Sequence, residues 1–232
     1  MPSSPADAPT GLAHAPGLFD TAPAHVDTAF ATRRRRELGA GAWVDVVPGW
    51  LTGGADLVDA LLAGAGWRSR RVQMYDRWVD EPRLSCWGRP VLDAVAGLAP
   101  VLDAMADALT ASYGAPLRSV GANLYRDGRD SVAWHGDRIL REQPTALVAV
   151  LTLGATRPFA LRPKGGGPSV RLRPGHGDLL VMGGTCQRTW DHAVPKAAGV
   201  AGPRISLSFR QRGLDPDATA PPAGEPTDRG SR

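Results

Sequence analysis

His135 and Asp137 stand two positions apart, just after the turn-like stretch DGRD and before the apolar run TALVAVLTLG. In an extended chain, residues i and i+2 project to the same face. An imidazole and a carboxylate placed in this way can grip one metal ion. A third ligand is available in His192, 57 positions on (192 − 135), in TWDHAVPK after the strand-like GDLLVMGG. Two histidines and one carboxylate on one side of a metal leave the opposite positions open. That is the facial ligand set of non-haem Fe(II) oxygenases, in which the open positions admit a co-substrate and O₂. Arg204 and Arg210 lie six apart in RISLSFR, so alternation turns both to one side of a strand. Two inward guanidiniums need anions. One dicarboxylate, 2-oxoglutarate, offers a carboxylate to each, and the planar fork of arginine suits that task.

The elements that must hold these groups are short. LRSVGANLY, TALVAVLTLG, PFALRP, SVRLRP, GDLLVMGG and RISLSFRQR are punctuated by Gly, Pro and Asp, and several alternate apolar with polar. This pattern predicts a twisted antiparallel sheet system. Ahead of it, Leu57, Val58, Leu61 and Leu62 have helical spacing. A second helical pattern runs over about 91–113 with Pro100 inside it, giving two helices or one kinked helix. The predicted fold is α+β and mainly β: a jelly roll, or double-stranded β-helix, with N-terminal helices packed on one side.

The chain has 232 residues and a formal net charge of +4. That length suits one core with tails, and the charge is compatible with a polyanionic partner. Residues 1–39 are expected to form a disordered arm ending in the run Arg33–Arg36, either a solvated edge or a phosphate-contacting arm. Residues 40–212 are expected to form the folded domain and 213–232 a disordered tail. No stretch is apolar enough to span a membrane, and the first residues make a poor signal peptide, so a cytoplasmic monomer is expected. Cys86 and Cys186 are then ordinary thiols.

Taken together, NLYRDGRDSVAWHGD, DLLVMGGTCQRTWDHAVPK and PRISLSFR resemble the AlkB family of Fe(II)/2-oxoglutarate dioxygenases, over about residues 40–212. The resemblance implies that His135, Asp137 and His192 bind iron, and that Asn123 and Tyr125 hydrogen-bond 2-oxoglutarate. It implies that Arg204 pairs with the distal carboxylate of 2-oxoglutarate, and Arg210 with the one beside the keto group. Ser206 and Ser208 stand where the family's final strand has Asn and Thr, so Ser206 is a candidate co-substrate contact. QMYDRWVDEPRLSCWG resembles the family's nucleotide-recognition lid, placed at about 68–90. Tyr75, Trp78 and Trp87 are then candidates to stack on a flipped-out base, and Arg83 and Arg138 to meet the substrate. Ile139 stands where the family often has an acidic residue that contacts the alkylated base.

The implied activity is oxidative removal of alkyl groups from bases in DNA, or in RNA, with 2-oxoglutarate and O₂ converted to succinate and CO₂ and the alkyl carbon released as formaldehyde. Two other readings of the residues stand beside it. One is the same iron chemistry on a small molecule or a protein. The other is a non-catalytic jelly-roll nucleic-acid binder.

Overall fold

A computed structural model of the chain describes residues 22–74 and 76–211, without the side chains of 72–74 and 77. Its elements run β1 (His25–Val26), β2 (Arg34–Gly39), β3 (Ala42–Val47), β4 (Leu51–Thr52), α1 (Ala55–Gly64), β5 (Arg68–Met74) and β6 (Arg77–Trp87). Then come α2 (Arg89–Asp93), α3 (Leu98–Tyr113), β7 (Leu117–Tyr125), β8 (Val132–His135), β9 (Val148–Gly154) and β10 (Phe159–Pro163). The chain continues through β11 (Val170–Leu172), β12 (Leu179–Gly184), α4 (Cys186–Thr189), β13 (Trp190–Val194) and β14 (Arg204–Gln211).

Two antiparallel sheets form the expected jelly roll. The major sheet has the order β2-β3-β12-β9-β14-β7-β6-β5, and the minor sheet has the order β11-β10-β13-β8. Alternation along β14 splits the molecule. Ile205, Leu207 and Phe209 face the helices and join Leu57, Leu61, Leu102 and Met105 in one apolar cluster. Burial of each such side chain contributes about 1.5–3 kcal/mol. Arg204, Ser206, Ser208 and Arg210 face the minor sheet. There a second cluster, with Val148, Phe159, Leu161, Leu180 and Met182, fills the space between the sheets.

The helices are not simply ahead of the sheets. β2 and β3 extend one edge of the major sheet, and β5 and β6 the other. The arm was expected to reach residue 39, but Arg34–Gly39 pairs with β3 as an edge strand. Its charges hid it, because an edge strand needs no apolar alternation when one face meets polar partners. Residues 1–21 of the expected arm and the expected tail from 213 lie outside the described residues. The 91–113 pattern resolves into two helices, broken at residues 94–97. Pro100 sits in the first turn of α3, where its missing N–H costs nothing. The stretch at 68–90 is the β5–β6 hairpin and the start of α2.

Candidate metal centre

His135 is the last residue of β8, and His192 sits directly across from it on β13. Asp137 lies two residues past the end of β8. Its backbone N–H donates to the Gln187 side-chain oxygen at 2.9 Å, which fixes the turn. Gln187 belongs to the short α4, and its side chain is buried. One ligand atom from each of His135, Asp137 and His192 lies within 4.8 Å of the other two. Nε2 of His135 is 3.7 Å and Nε2 of His192 3.9 Å from Asp137 Oδ1. The Nδ1–H of His135 donates to the Ala133 carbonyl at 2.8 Å, leaving Nε2 as the free lone pair. The His192 ring stacks on Phe159, 5.6 Å between centroids.

Electrostatics favours the ligating forms. Burial pushes the Asp137 carboxyl up, but Arg210, His192 and His135 outweigh it and hold it at about 2. Burial, aided by His135, lowers His192 to about 3, so the ring is neutral near pH 7. A carboxylate and two neutral imidazoles form the donor set that a divalent cation of the iron class takes.

The major sheet supplies the other wall. Arg204 is completely buried and donates through Nη2 to Thr152 Oγ1 at 3.1 Å. Its Nε and Nη1 are buried with no hydrogen-bond partner among the described residues. Burial lowers Arg204 to about 10, which leaves it charged near neutrality. A buried guanidinium with two idle donors fits a carboxylate ligand, because a lone buried charge is costly. Arg210 is mostly buried. Its Nε donates to Asp137 Oδ2 at 2.8 Å, its guanidinium lies 4.6 Å over the Trp87 ring, and its Nη1 is also unpartnered. Both arginines, Ser206, and the cross-strand partners Asn123 and Tyr125 share one sheet face. 2-Oxoglutarate, with one carboxylate at each end, fits this pair of guanidiniums.

The Asn123 side-chain oxygen accepts from Arg83 Nε at 3.2 Å and Ser85 Oγ at 2.9 Å, and its amide N–H₂ has no hydrogen-bond partner among the described residues. Arg83, expected at the substrate, therefore lies at the Asn123 end and also pairs with Glu81 at 3.0 Å. Trp87 is half-buried, its ring pressed against Gly121, where any Cβ would collide with it. Trp78 is 60% exposed at the start of β6. Tyr75 lies outside the described residues. Arg138 is exposed and borders a cavity of about 470 Å³ beside Asp137, lined also by Arg141, Lys164, Gln187 and Arg188. Ile139 is 2% exposed and packs in the cluster between the sheets, so its position faces the core.

Two groups escaped the sequence. Gln187 carried no signal, because its role depends on α4 forming between β12 and β13. Arg157 is fully buried and donates to the carbonyls of Asp127, Asp130 and Pro195 at 2.6, 2.7 and 3.0 Å, with its guanidinium 5.8 Å from the Tyr125 ring. His176 accepts from the Gly154 N–H at 3.1 Å and donates to the Gly53 carbonyl at 3.0 Å, tying two loops.

The family model of the 2OG-Fe(II) oxygenase superfamily matches residues 55–210. The human protein named alpha-ketoglutarate-dependent dioxygenase alkB homolog 3 (Homo sapiens) is 30% identical over 177 residues, which cover 69% of this chain and 62% of that protein. Human DNA oxidative demethylase ALKBH2 (Homo sapiens) is 32% identical over 158 residues, covering 61% of this chain and 60% of that protein. The chain thus spans less than two thirds of the length of these curated relatives. The solved structure of OsALKBH1 matches with a TM-score of 0.52 at 17% identity, over 77% of this chain and 100% of that one, a likeness of fold alone. With the jelly roll, the His-Asp-His cluster and these matches together, the chain belongs to the 2OG-Fe(II) oxygenase superfamily and, within it, to the AlkB family.

Proposed function

We propose that the protein is an Fe(II)/2-oxoglutarate-dependent dioxygenase that oxidatively dealkylates N-alkylated bases of nucleic acid. The observation that carries the reading is Arg204: a fully buried guanidinium with two idle donors, on the same sheet face as Arg210 and opposite the three-ligand cluster. His135, Asp137 and His192 would hold the iron. Arg204, with Thr152 beside it, would take the distal carboxylate of 2-oxoglutarate, and Arg210 Nη1 the near one. The Asn123 amide, the Tyr125 hydroxyl and Ser206 would line the molecule between them.

Iron, 2-oxoglutarate and O₂ together supply the oxidising power that hydroxylates the C–H of an N-linked alkyl group, with succinate and CO₂ formed; the resulting hemiaminal splits to an aldehyde and the free base. The chain's own part is placement. Arg210 orients the Asp137 carboxylate through its 2.8 Å hydrogen bond. Phe159 and the buried apolar cluster keep water from the His192 side. A base must leave its stack to reach this site. Trp87 offers an aromatic face there, Trp78 a second one at the exposed hairpin, and Arg138 a cation for the flanking backbone.

The test is incubation of the protein with Fe(II), ascorbate, 2-oxoglutarate and single-stranded DNA or RNA carrying 1-methyladenine or 3-methylcytosine. Demethylated base, formaldehyde and succinate in equal amounts are expected. No product from any of these substrates would reject the reading. One observation favours a second one: Ile139 points into the core, and Asp137 is the only acidic side chain lining the neighbouring cavity among the described residues. A hydroxylase of a small molecule or protein would not need an acidic base contact, and turnover with such a substrate and not with nucleic acid would select it.

A further inference from the structure

The run Arg33–Arg36 divides its side chains between two faces. Arg33 donates to Ser112 Oγ at 3.1 Å and lies over the rings of Phe30 and Tyr113 at 5.8 and 5.9 Å. Arg35 makes a two-point ion pair with the buried Asp45, at 2.7 and 2.9 Å, and lies 3.6 Å over the Trp43 ring. These two fasten the edge strand to the sheet and to α3. Arg34 and Arg36 alternate to the opposite face. Both are exposed, and neither has an ion pair among the described residues. The one acidic residue of the strand, Glu37, alternates to the face of Arg35.

Register fixes where this free pair lies. Arg36 pairs with Val44, Val44 with Met182, Met182 with Val148, and Val148 with Arg210. Arg36 and Arg210 therefore stand in one row across the major sheet. Val44, Met182 and Val148 all pack in the cluster between the sheets, so the row faces the candidate site. Four inter-strand steps of about 4.8 Å separate them by about 19 Å. The minor sheet carries exposed arginines too, at β11, its edge away from β8 and β6. Val170 and Leu172 of β11 pack inward, and Arg171 and Arg173 are exposed, with no ion pair among the described residues.

We propose that this exposed basic edge at β2 is a docking track for the phosphates of single-stranded nucleic acid, about 19 Å from the site at Arg210, with Arg34 and Arg36 as its principal contacts. The inference rests on the nucleic-acid reading above and extends it to nucleotides beyond the one being repaired. Charge complementarity names the occupant: exposed guanidiniums with no acid beside them bind phosphate oxygens through their planar forks. Each such contact on a single strand releases counterions and adds about 0.7 to the steepness of salt dependence.

The experiment is fluorescence anisotropy with an unmodified single strand of about 20 nucleotides, at several salt concentrations, alongside demethylation of a methylated strand of that length and of a methylated trinucleotide. In R34Q/R36Q the slope of log affinity against log salt is expected to flatten by about 1.4, two contacts at about 0.7 each. Affinity near 0.1 M salt falls about fivefold or more, and KM rises further for the long strand than for the trinucleotide. R34K/R36K, which keeps the charges, holds the wild-type slope. A double glutamine variant that binds the long strand with unchanged slope and affinity, while the wild type binds and demethylates it, overturns the track and leaves the dealkylase reading standing. A wild type that neither binds nor demethylates any oligonucleotide overturns both.

Discussion

The two ends of the candidate site are built by opposite rules. At the Arg204 end everything is enclosed: a fully buried guanidinium, Thr152 at 3.1 Å, a Tyr125 whose hydroxyl burial pushes up, and Arg157 clamping three carbonyls behind it. At the β5–β6 hairpin, Trp78 is 60% exposed and Arg71 meets Asp80 only at 3.4 Å, both side chains largely in water. An enclosed end is preorganised for one small dianion. An open edge leaves room for a larger partner, which under the proposed function is the nucleic acid flanking the base. The metal cluster sits between, with His192 buried and His135 39% exposed.

Substitutions can break that contrast, and the largest effect is expected in the middle. Asp137→Ala removes a ligand and strands Arg210, so metal affinity measured by Mn(II) titration should fall well beyond the roughly 100-fold that outer partners cost. Arg204→Met comes next. It should weaken 2-oxoglutarate binding by about 2–5 kcal/mol, the cost of truncating one partner of a buried charge pair. Without co-substrate, its Tm should stay level or rise, because an unpaired buried charge has been removed. A clear fall in Tm would mean that Arg204 is paired by something other than an incoming ligand. Arg157→Met should cost about 2–4 kcal/mol in urea unfolding, from three lost carbonyl contacts, and raise the KM for 2-oxoglutarate less than Arg204→Met does. Gln187→Ala should lower metal affinity about tenfold by freeing the Asp137 turn, with Gln187→Glu failing to restore it, since its carboxylate repels the neighbouring one. At the open edge, Trp78→Ala should leave stability within about 0.5 kcal/mol and raise the KM for oligonucleotide alone. A matching rise for 2-oxoglutarate would erase the division between the ends.

Much of the enclosed end could be read from the chain because alternation is a strict rule. Arg204 and Arg210 share parity on one strand, as do Asn123 and Tyr125, whereas the grouping of His135, Asp137 and His192, which the structure brings together, was implied by the family resemblance more than by the HxD spacing. Gln187 and Arg157 could not be read in that way. One depends on a four-residue helix, and the other on three carbonyls brought together from separate loops. Arg83 was placed with its aromatic neighbours in sequence, whereas register turns it toward Asn123. β2 was hidden because its partners are an ion pair and a stacked indole, which leave no apolar period.

The central claim is that three ligands and one buried arginine form a single site. Anaerobic titration of 2-oxoglutarate into Fe(II)-loaded protein tests it directly, followed by the visible charge-transfer absorption of the iron–oxoacid chelate. The wild type should develop the band and saturate. His192→Ala should show none, and Arg204→Met should need a far higher 2-oxoglutarate concentration to reach half-saturation. A wild type without the band, or an Arg204→Met variant with an unshifted midpoint, would contradict the account.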